Sequence, residues 1–411
     1  MVGTRSTFLT QDRTDCQRRT GFSGWRSLAV FSLVLPLACL LAQCAPTSNT
    51  GPMADNTPAP QGDSFGARFQ AVATSVHQRS AGTSQYAHRT TTDQTPYRVA
   101  SRGPPQPLRE RRDGRQDLTT LVGLQSAPFP YAGKNPRTDE PFLNVSDGER
   151  RGHRGWGRTY WQDETFSDNR TLIHVPKHFD AQKPGVIVVF FHGHGATLER
   201  DVRDRQQVPQ QISESGVNAV LLAPQLAVDA ADSSAGKLWQ PGGLRRFVAE
   251  STEHIARMSG DPRAAKALAK MPVVIVAYSG GFVAAASSLD VGGLEGRIRG
   301  VFLLDALYAD LDTFATWVAD NRSAYFVSSY TPHLKRRNAE FMRVLRDKGI
   351  AVSEDMDQPL KPGRPVFVAA PEGVNHRNFV TNAWTEHPVK DVLVKIAGTP
   401  ALTRVAASVA R

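Results

Sequence analysis

The amino-acid sequence predicts an α/β fold, a mainly parallel central sheet with helices on both faces, preceded by a disordered N-terminal segment. From about residue 159 onward, apolar runs rich in branched side chains alternate with amphipathic stretches. Such runs are typical of strands buried on both faces, as in parallel sheets covered by helices. Residues 48–116 are instead rich in Pro, Gly, Ser, Thr, Gln and Arg, so they bury too little apolar surface to offset the entropy of ordering.

The predicted strands are short apolar runs that end at proline, glycine or polar residues. The clearest is Gly185–Phe191, which lies between Pro184 and Gly193 and has the length and composition of a buried strand. In chain order, the predicted strands cover residues 170–175, 185–191, 218–223, 272–277, 298–304, 324–328 and 365–369.

The predicted helices are longer, and several are amphipathic. Two of them end near Gly216 and Gly260, since glycine terminates helices readily. The predicted helices cover residues 200–215, 244–258, 282–289, 333–348 and 389–396. Strand–helix alternation makes the strands parallel, and sites in such sheets lie at the carboxyl ends of strands.

Charge does not identify a nucleic-acid-binding protein. The net charge is +10, but the first 118 residues hold 14 arginines and no lysine against 8 acidic residues, an excess of +6. The remaining chain is close to balanced. A dispersed arginine-containing tail predicts a solvated linker and no nucleic-acid partner, although it could lie against an anionic membrane or wall polymer.

The N-terminus has the order of an export signal. Basic residues precede the apolar run Leu28–Ala42, which is shorter than the ~20 residues of a membrane span and is interrupted by Pro36. The following Leu41-Ala-Gln-Cys44 resembles a bacterial lipoprotein cleavage box, in which Cys44 would be lipidated, although Gln43 stands where a small residue is usual. We expect a bacterial protein that is periplasmic or anchored to a membrane through its N-terminus.

These observations divide the chain into three parts. Residues 1–44 are the export or lipoprotein-type signal, residues 45–140 a disordered Pro/Ser/Arg-rich linker, and residues 141–411 the catalytic domain. All three cysteines precede the predicted domain, which therefore has no disulfide, cysteine ligand or cysteine nucleophile.

The first strand end that carries candidate chemistry is Ala277-Tyr-Ser279-Gly-Gly281. A serine between a strand and a helix, flanked by small residues, is typical of a nucleophile elbow, whose strained turn admits only small neighbours. Ala277 stands where glycine is usual. The segment could also be a plain glycine-rich turn in which Ser279 caps the helix.

The second is His192-Gly-His-Gly195, directly after the strand that ends at Phe191. Acyl transfer requires N–H donors aimed at the developing oxyanion. We expect Gly195 and Gly280 to supply them. A metal-dependent hydrolase is the alternative, because His192-x-His194 could bind zinc with help from Asp305 and His376.

The third is His376, in a loop after the last predicted strand, which could serve as general base. The acid that orients it would be Asp305, at the end of strand 298–304. Asp310 and Asp312 are nearby alternatives, and Glu372 is a weaker one.

In this order and on alternating strands, the three sites resemble those of the α/β-hydrolase superfamily, from about residue 159 to the C-terminus. In that family the acid usually follows the seventh strand, but some lipase-like members carry it after the sixth. Ser328-Ser-Tyr330 offers no carboxylate, so this chain resembles the latter kind. The resemblance implies that Ser279 forms an acyl-enzyme, which water activated by His376 then hydrolyses.

The predicted function is an exported serine hydrolase that cleaves an acyl bond, most readily a carboxylic ester, in a small-molecule or envelope substrate. Trp239 and Tyr278 could line its pocket or pack on the scaffold, and His194 could line the pocket as well. We expect no cofactor; the oligomeric state stays open. An amidase, peptidase or acyltransferase of the same fold, the metal-dependent hydrolase, and a non-catalytic envelope-binding protein are the alternatives.

Replacing Cys44 tests the membrane anchor. If Cys44 is lipidated, the full-length Cys44→Ser variant moves from the membrane to the soluble fraction, because one or two acyl chains supply the attachment. Cell fractionation followed by immunoblotting measures the change, with Cys39→Ser as the control. Unchanged fractionation of Cys44→Ser would refute the anchor.

Overall fold

The computed structural model describes residues 116–155 and 157–397. Its largest feature is an eight-stranded sheet. The strands are β1 (Leu118–Gly123), β5 (Arg170–Val175), β6 (Val186–Phe191), β7 (Ala219–Pro224), β8 (Val273–Tyr278), β9 (Ile298–Leu304), β10 (Tyr325–Tyr330) and β11 (Val366–Ala369). Their order in the sheet is β1-β5-β7-β6-β8-β9-β10-β11, in which β5 is antiparallel to both neighbours and the remaining pairs are parallel.

A second, three-stranded antiparallel sheet contains β2 (Val145–Asp147), β3 (Arg150–Gly155) and β4 (Arg158–Trp161). The α-helices are α1 (Gln162–Thr165), α2 (Val208–Glu214), α3 (Gly243–Ser259), α4 (Pro262–Leu268), α5 (Phe282–Asp290), α6 (Leu311–Asp320), α7 (Lys335–Asp347) and α8 (Pro388–Ala397). None of the helices in the described ranges is long and apolar enough to cross a membrane.

The large sheet is buried on both faces, because successive side chains of its central strands point to opposite sides. One face, with Ile187 and Phe191 of β6, is covered by α3, α5, α6 and α7. The other, with Val188 and Phe190, is covered by α2 and α8. Burying each such side chain contributes about 1.5–3 kcal/mol. The predicted fold class is confirmed.

The predicted helix over residues 200–215 is two helices in the structure. A π-helix covers Leu198–Arg205, and α2 begins at Val208. The break lies at Gln207, whose φ is +52°, and is followed by Pro209 in the first turn of α2. Proline has no backbone N–H and its ring collides with the preceding turn, so one continuous helix cannot pass through this point.

The folded domain begins earlier than residue 141. All six residues of β1 pair with β5, and the side chain of Phe129 is completely buried. Residues 118–140, assigned to the linker from sequence, therefore belong to the domain. The strand was missed because β1 is an edge strand whose residues are partly buried or exposed, and such a strand requires no continuous apolar run. The predicted signal (residues 1–44), Cys44 and most of the predicted linker lie outside the described residues.

An aromatic cluster joins this early segment to the small sheet. We use the name for Phe129, Tyr131, Phe142, Phe166 and Trp239, whose rings pack with centroids 4.9–5.9 Å apart. His153 of β3 stacks on Phe142 at 4.5 Å, and its Nδ1 donates a hydrogen bond to the carbonyl of Phe142 at 2.8 Å. Aromatic pairs add about 0.5–1.5 kcal/mol each beyond their buried area, so the cluster fixes the small sheet on the domain.

Two truncated chains test this boundary. A chain that begins at residue 113 keeps β1 and the aromatic cluster, whereas one that begins at residue 141 loses β1, Phe129 and Tyr131. Loss of one buried phenylalanine costs about 3–5 kcal/mol, against a total stability of about 5–15 kcal/mol. We therefore expect the shorter chain to be largely unfolded, as measured by thermal denaturation with circular dichroism. Equal melting temperatures for both chains would contradict this boundary.

Candidate active site

Ser279 occupies a strained turn between β8 and α5. Its φ is +53°, a left-handed conformation that costs a non-glycine residue about 1–3 kcal/mol. Space around the turn is restricted: a Cβ atom on Gly281 would overlap the carbonyl oxygen of Phe191, and one on Gly193 would lie 2.7 Å from Cβ of Ser279. The small residues of both loops are therefore required by packing, and Ala277, fully buried in β8, fits the same turn.

Three side chains that are far apart in the sequence form one hydrogen-bonded chain. Nε2 of His376 lies 2.8 Å from Oγ of Ser279, and Nδ1 of His376 lies 2.6 Å from Oδ2 of Asp305. A carboxylate only accepts, so Nδ1 carries the ring hydrogen and Nε2 accepts from the serine hydroxyl. The structure thus brings together the predicted nucleophile, base and acid at the carboxyl edge of the sheet.

Asp305 is oriented by a residue that sequence reasoning missed, Thr331. The carboxylate is buried and accepts hydrogen bonds from the Thr331 N–H at 2.8 Å and from its hydroxyl at 3.0 Å. Thr331 directly follows β10, as Asp305 follows β9, so its position after a neighbouring strand end was the available signal. The alternative acids lie elsewhere: Asp310 pairs with Arg137, and Asp312 lies in the first turn of α6.

Tyr278 supports the imidazole of His376. Its ring stacks on that of His376 with centroids 5.1 Å apart, and its hydroxyl donates to the His376 carbonyl at 2.8 Å. Burial raises the pKa of Tyr278 well above its usual range, so the hydroxyl stays protonated. The carbonyl of the next residue, Arg377, accepts from Arg205 at 2.7 Å. Tyr278 is 5% exposed and holds His376 in place. Of the two roles that the sequence left open for Tyr278, lining the pocket or packing on the scaffold, its burial supports the second.

Trp239, the other aromatic residue offered for the pocket, packs on the scaffold. Its ring lies edge-on to Tyr131 and Phe142, at 5.8 Å from each centroid. It is partly buried within the aromatic cluster. The sequence left two roles open for Trp239, lining the pocket or packing on the scaffold, and the structure shows the second.

His192 shapes the loop after β6. Its Nδ1 donates to the carbonyl of Gly193 at 2.8 Å, and its Nε2 accepts from the N–H of Leu226 at 2.9 Å, with the side-chain amide of Gln225 also 2.9 Å away. Complete burial lowers its pKa. Both ring nitrogens are thus committed to the protein, so His192 is unsuited to bind a metal with His194. Among the residues that the structure describes, no three His, Cys, Asp or Glu side chains are grouped to hold a metal.

Gly195 is not placed as an oxyanion donor, contrary to the sequence-based expectation. Its N–H donates to the carbonyl of Ala230 at 2.9 Å. Gly193 is the glycine of this loop that lies against Ser279. Sequence reasoning missed the partner of Gly195 because Ala230 belongs to a segment after β7, which no local pattern connects to this loop. Gly280, directly after Ser279, keeps the position expected of a donor.

His194 lies directly over the turn. A Cβ atom built on Gly280 would come within 2.6 Å of Nε2 of His194 and 2.8 Å of Oγ of Ser233. Burial, followed by the neighbouring charges of His192 and His376, lowers the pKa of His194 to about 3. The imidazole is therefore neutral near pH 7 and forms one wall of the site.

The chain resembles solved structures only distantly. No family model matches it, and no curated protein matches its sequence. A ferulic acid esterase shares 13% identity over 71% of this chain and 99% of its own, with a TM-score of 0.39. The S954A mutant of the feruloyl esterase module from Clostridium thermocellum, complexed with sinapinate, shares 12% over 66% and 95%, with a TM-score of 0.37. The S-formylglutathione hydrolase from Agrobacterium tumefaciens shares 12% over 64% and 98%, with a TM-score of 0.33.

The Thr331 hydroxyl provides a test of the carboxylate's orientation. Thr331→Val keeps the shape and the backbone N–H but removes the hydroxyl donor to Asp305. A hydrogen bond to a charged group contributes about 1.5–3 kcal/mol, so we expect Ser279 to react with a fluorophosphonate probe about 10-fold or more slowly.

The control is Thr252→Val, which removes a buried hydroxyl that donates within α3 to Ala249, away from the site. It should leave the labelling rate unchanged. Equal rates for Thr331→Val and wild type would show that the backbone N–H alone orients Asp305.

Proposed function

We propose that this protein is a serine hydrolase that cleaves a carboxylic ester through an acyl-enzyme intermediate. The observation that carries the proposal is the hydrogen-bonded chain from Ser279 through His376 to Asp305, with distances of 2.8 and 2.6 Å. The serine on a strained strand–helix turn and the chain order Ser, Asp, His are the arrangement of α/β-hydrolases.

The proposed reaction has two steps that use the same groups. His376 Nε2 takes the hydroxyl proton as Oγ of Ser279 attacks the acyl carbon, and it returns that proton to the departing alcohol oxygen. Water then enters, and His376 takes one of its protons as the water oxygen attacks the acyl carbon. The bond between the acyl carbon and Oγ of Ser279 breaks, His376 returns the proton to Oγ, and the acid is released. Asp305 keeps its negative charge throughout and stabilises the imidazolium that forms twice in each cycle.

The electrostatic surroundings support this cycle. Asp305 is buried, so its attraction to the His376 imidazolium is weakly screened. His194, with a pKa lowered to about 3, adds no second positive charge beside that imidazolium. The Tyr278 ring covers one side of His376 and fixes its orientation. The base therefore needs little rearrangement before it accepts the proton.

Particular contacts in the structure distinguish the other candidate functions from a serine hydrolase. An amidase, peptidase or acyltransferase would use the same three groups and differ only in the leaving group or acceptor. The metal-dependent hydrolase is disfavoured, because both nitrogens of His192 bond to protein groups. A non-catalytic envelope-binding protein has no need for the strained φ of Ser279.

We also propose that the enzyme is exported and works in the bacterial envelope, as a periplasmic protein or a lipoprotein held through Cys44. The support is the basic, apolar and small-residue order of residues 1–44. The substrate would then be an acyl ester that is present in, or passes through, the envelope.

Labelling by a fluorophosphonate probe tests the mechanism. We expect the purified protein to be labelled covalently at residue 279 and to hydrolyse 4-nitrophenyl acetate, whereas Ser279→Ala should lose both, with kcat/KM reduced by about 10⁴-fold or more. EDTA should change neither labelling nor hydrolysis, because the proposed mechanism uses no metal. Mass spectrometry of the labelled peptide and the initial rate of nitrophenol release measure these outcomes.

The matched control is Ser287→Ala, on helix α5, which follows the nucleophile; its hydroxyl donates to the Val283 carbonyl. It should be labelled like wild type. Activity lost with EDTA and absent labelling would favour the metal-dependent hydrolase. A protein inert in both assays would favour the binding protein.

A further inference from the structure

The oxyanion side of the site lacks one expected donor. The N–H of Gly195 is bound to the carbonyl of Ala230. The Ala230 carbonyl that accepts this hydrogen bond belongs to residues 229–234, and this segment continues over the turn at Ser279. It thereby brings a hydroxyl group, that of Ser233, next to Gly280.

The Ser233 hydroxyl lies beside Gly280, whose N–H is the expected oxyanion donor. A Cβ atom on Gly280 would be 2.8 Å from Oγ of Ser233, so this oxygen borders the residue whose N–H is the expected donor. Ser233 is partly exposed, and a bound substrate could reach it. Serine hydroxyls can stabilise an oxyanion when they are held in place beforehand.

His194 holds this hydroxyl. Its Nε2 lies 2.6 Å from Oγ of Ser233. The imidazole is neutral and carries one ring hydrogen. When that hydrogen is on Nε2, the Ser233 oxygen accepts it, and the Ser233 O–H is left to donate towards the substrate.

Hydrogen bonds hold the segment that carries Ser233 on both sides of this residue. At one end, Nη2 of Arg200 donates to the Gly195 carbonyl and, at 2.7 Å, to the carboxylate of Asp229. At the other, the buried carboxylate of Asp232 accepts from the Ser234 N–H at 2.8 Å and faces Nε2 of His153 at 3.8 Å. Ser233 is therefore held before any substrate binds, which is the condition for strong transition-state stabilisation.

We propose that Ser233 is a further catalytic residue, whose hydroxyl donates a hydrogen bond to the oxyanion, and that His194 is the residue that positions it. The proposal rests on the proposed function, since it requires a tetrahedral intermediate on Ser279. No covalent bond to Ser233 forms. Its hydrogen bond to the substrate oxygen shortens and strengthens as negative charge develops there.

Paired oxygen and sulfur substrates test this role. The probes are 4-nitrophenyl acetate and its thiono analogue, in which sulfur, a weak hydrogen-bond acceptor, replaces the carbonyl oxygen. We expect Ser233→Ala to lower kcat for the oxygen ester by about 100-fold with little change in KM. For the thiono ester, kcat should fall much less, because its sulfur accepts only a weak hydrogen bond from Ser233 in the wild-type protein.

Two further variants complete the experiment. Ser323→Ala removes an exposed hydroxyl that contacts Arg299, away from the site, and should match wild type on both substrates. His194→Phe should also lower kcat more for the oxygen ester than for the thiono ester. Combined with Ser233→Ala, it should add little further loss, because both changes remove the same hydrogen bond.

The outcomes separate the two proposals. An unaltered kcat for Ser233→Ala, or equal losses on the oxygen and thiono esters, would overturn the role of Ser233 and leave the serine hydrolase intact. A wild-type protein that is neither labelled at Ser279 nor able to hydrolyse the oxygen ester would overturn the proposed function, and this inference with it.

Discussion

The strained turn at Ser279 is the constraint on which the site depends. A left-handed residue between a strand and a helix is stable only where surrounding structure holds it. Here the carboxyl end of β6 and the loop after it press against the turn from one side, and Gly281 leaves no room for a side chain. The same packing places Oγ within 2.8 Å of His376. Local backbone strain and the geometry of the proposed nucleophile therefore have one cause.

The sequence predicted the fold well because continuous apolar runs mark strands buried on both faces, and most predicted strands agree with the structure within one or two residues. It placed Ser279, Asp305 and His376 because each follows a strand end, where a parallel sheet collects its polar groups. It failed for β1, a half-exposed edge strand, and for α6, which lies in residues 311–320 that no predicted element covered.

The remaining contacts could not be read from local patterns, because they join distant segments. Thr331 is 26 residues from Asp305, and Ser233 is 39 residues from His194. The Gly195 N–H illustrates the same limit, since a glycine after a strand is a fair candidate for an oxyanion donor until a carbonyl from another loop occupies it. Such assignments depend on which loops meet above the sheet, and that is a property of tertiary packing.

The direction of β1 determines at which edge of the sheet the described chain enters the domain. β1 is antiparallel to β5, which is antiparallel to β7, so β1 starts at the edge of the sheet opposite Ser279. A strand of this length spans about 20 Å. Leu118 therefore lies at the opposite edge of the sheet from Ser279, about one strand length away. The point at which the described chain enters the sheet and the edge at which Ser279, His376 and Asp305 meet are thus separated by the full height of the sheet.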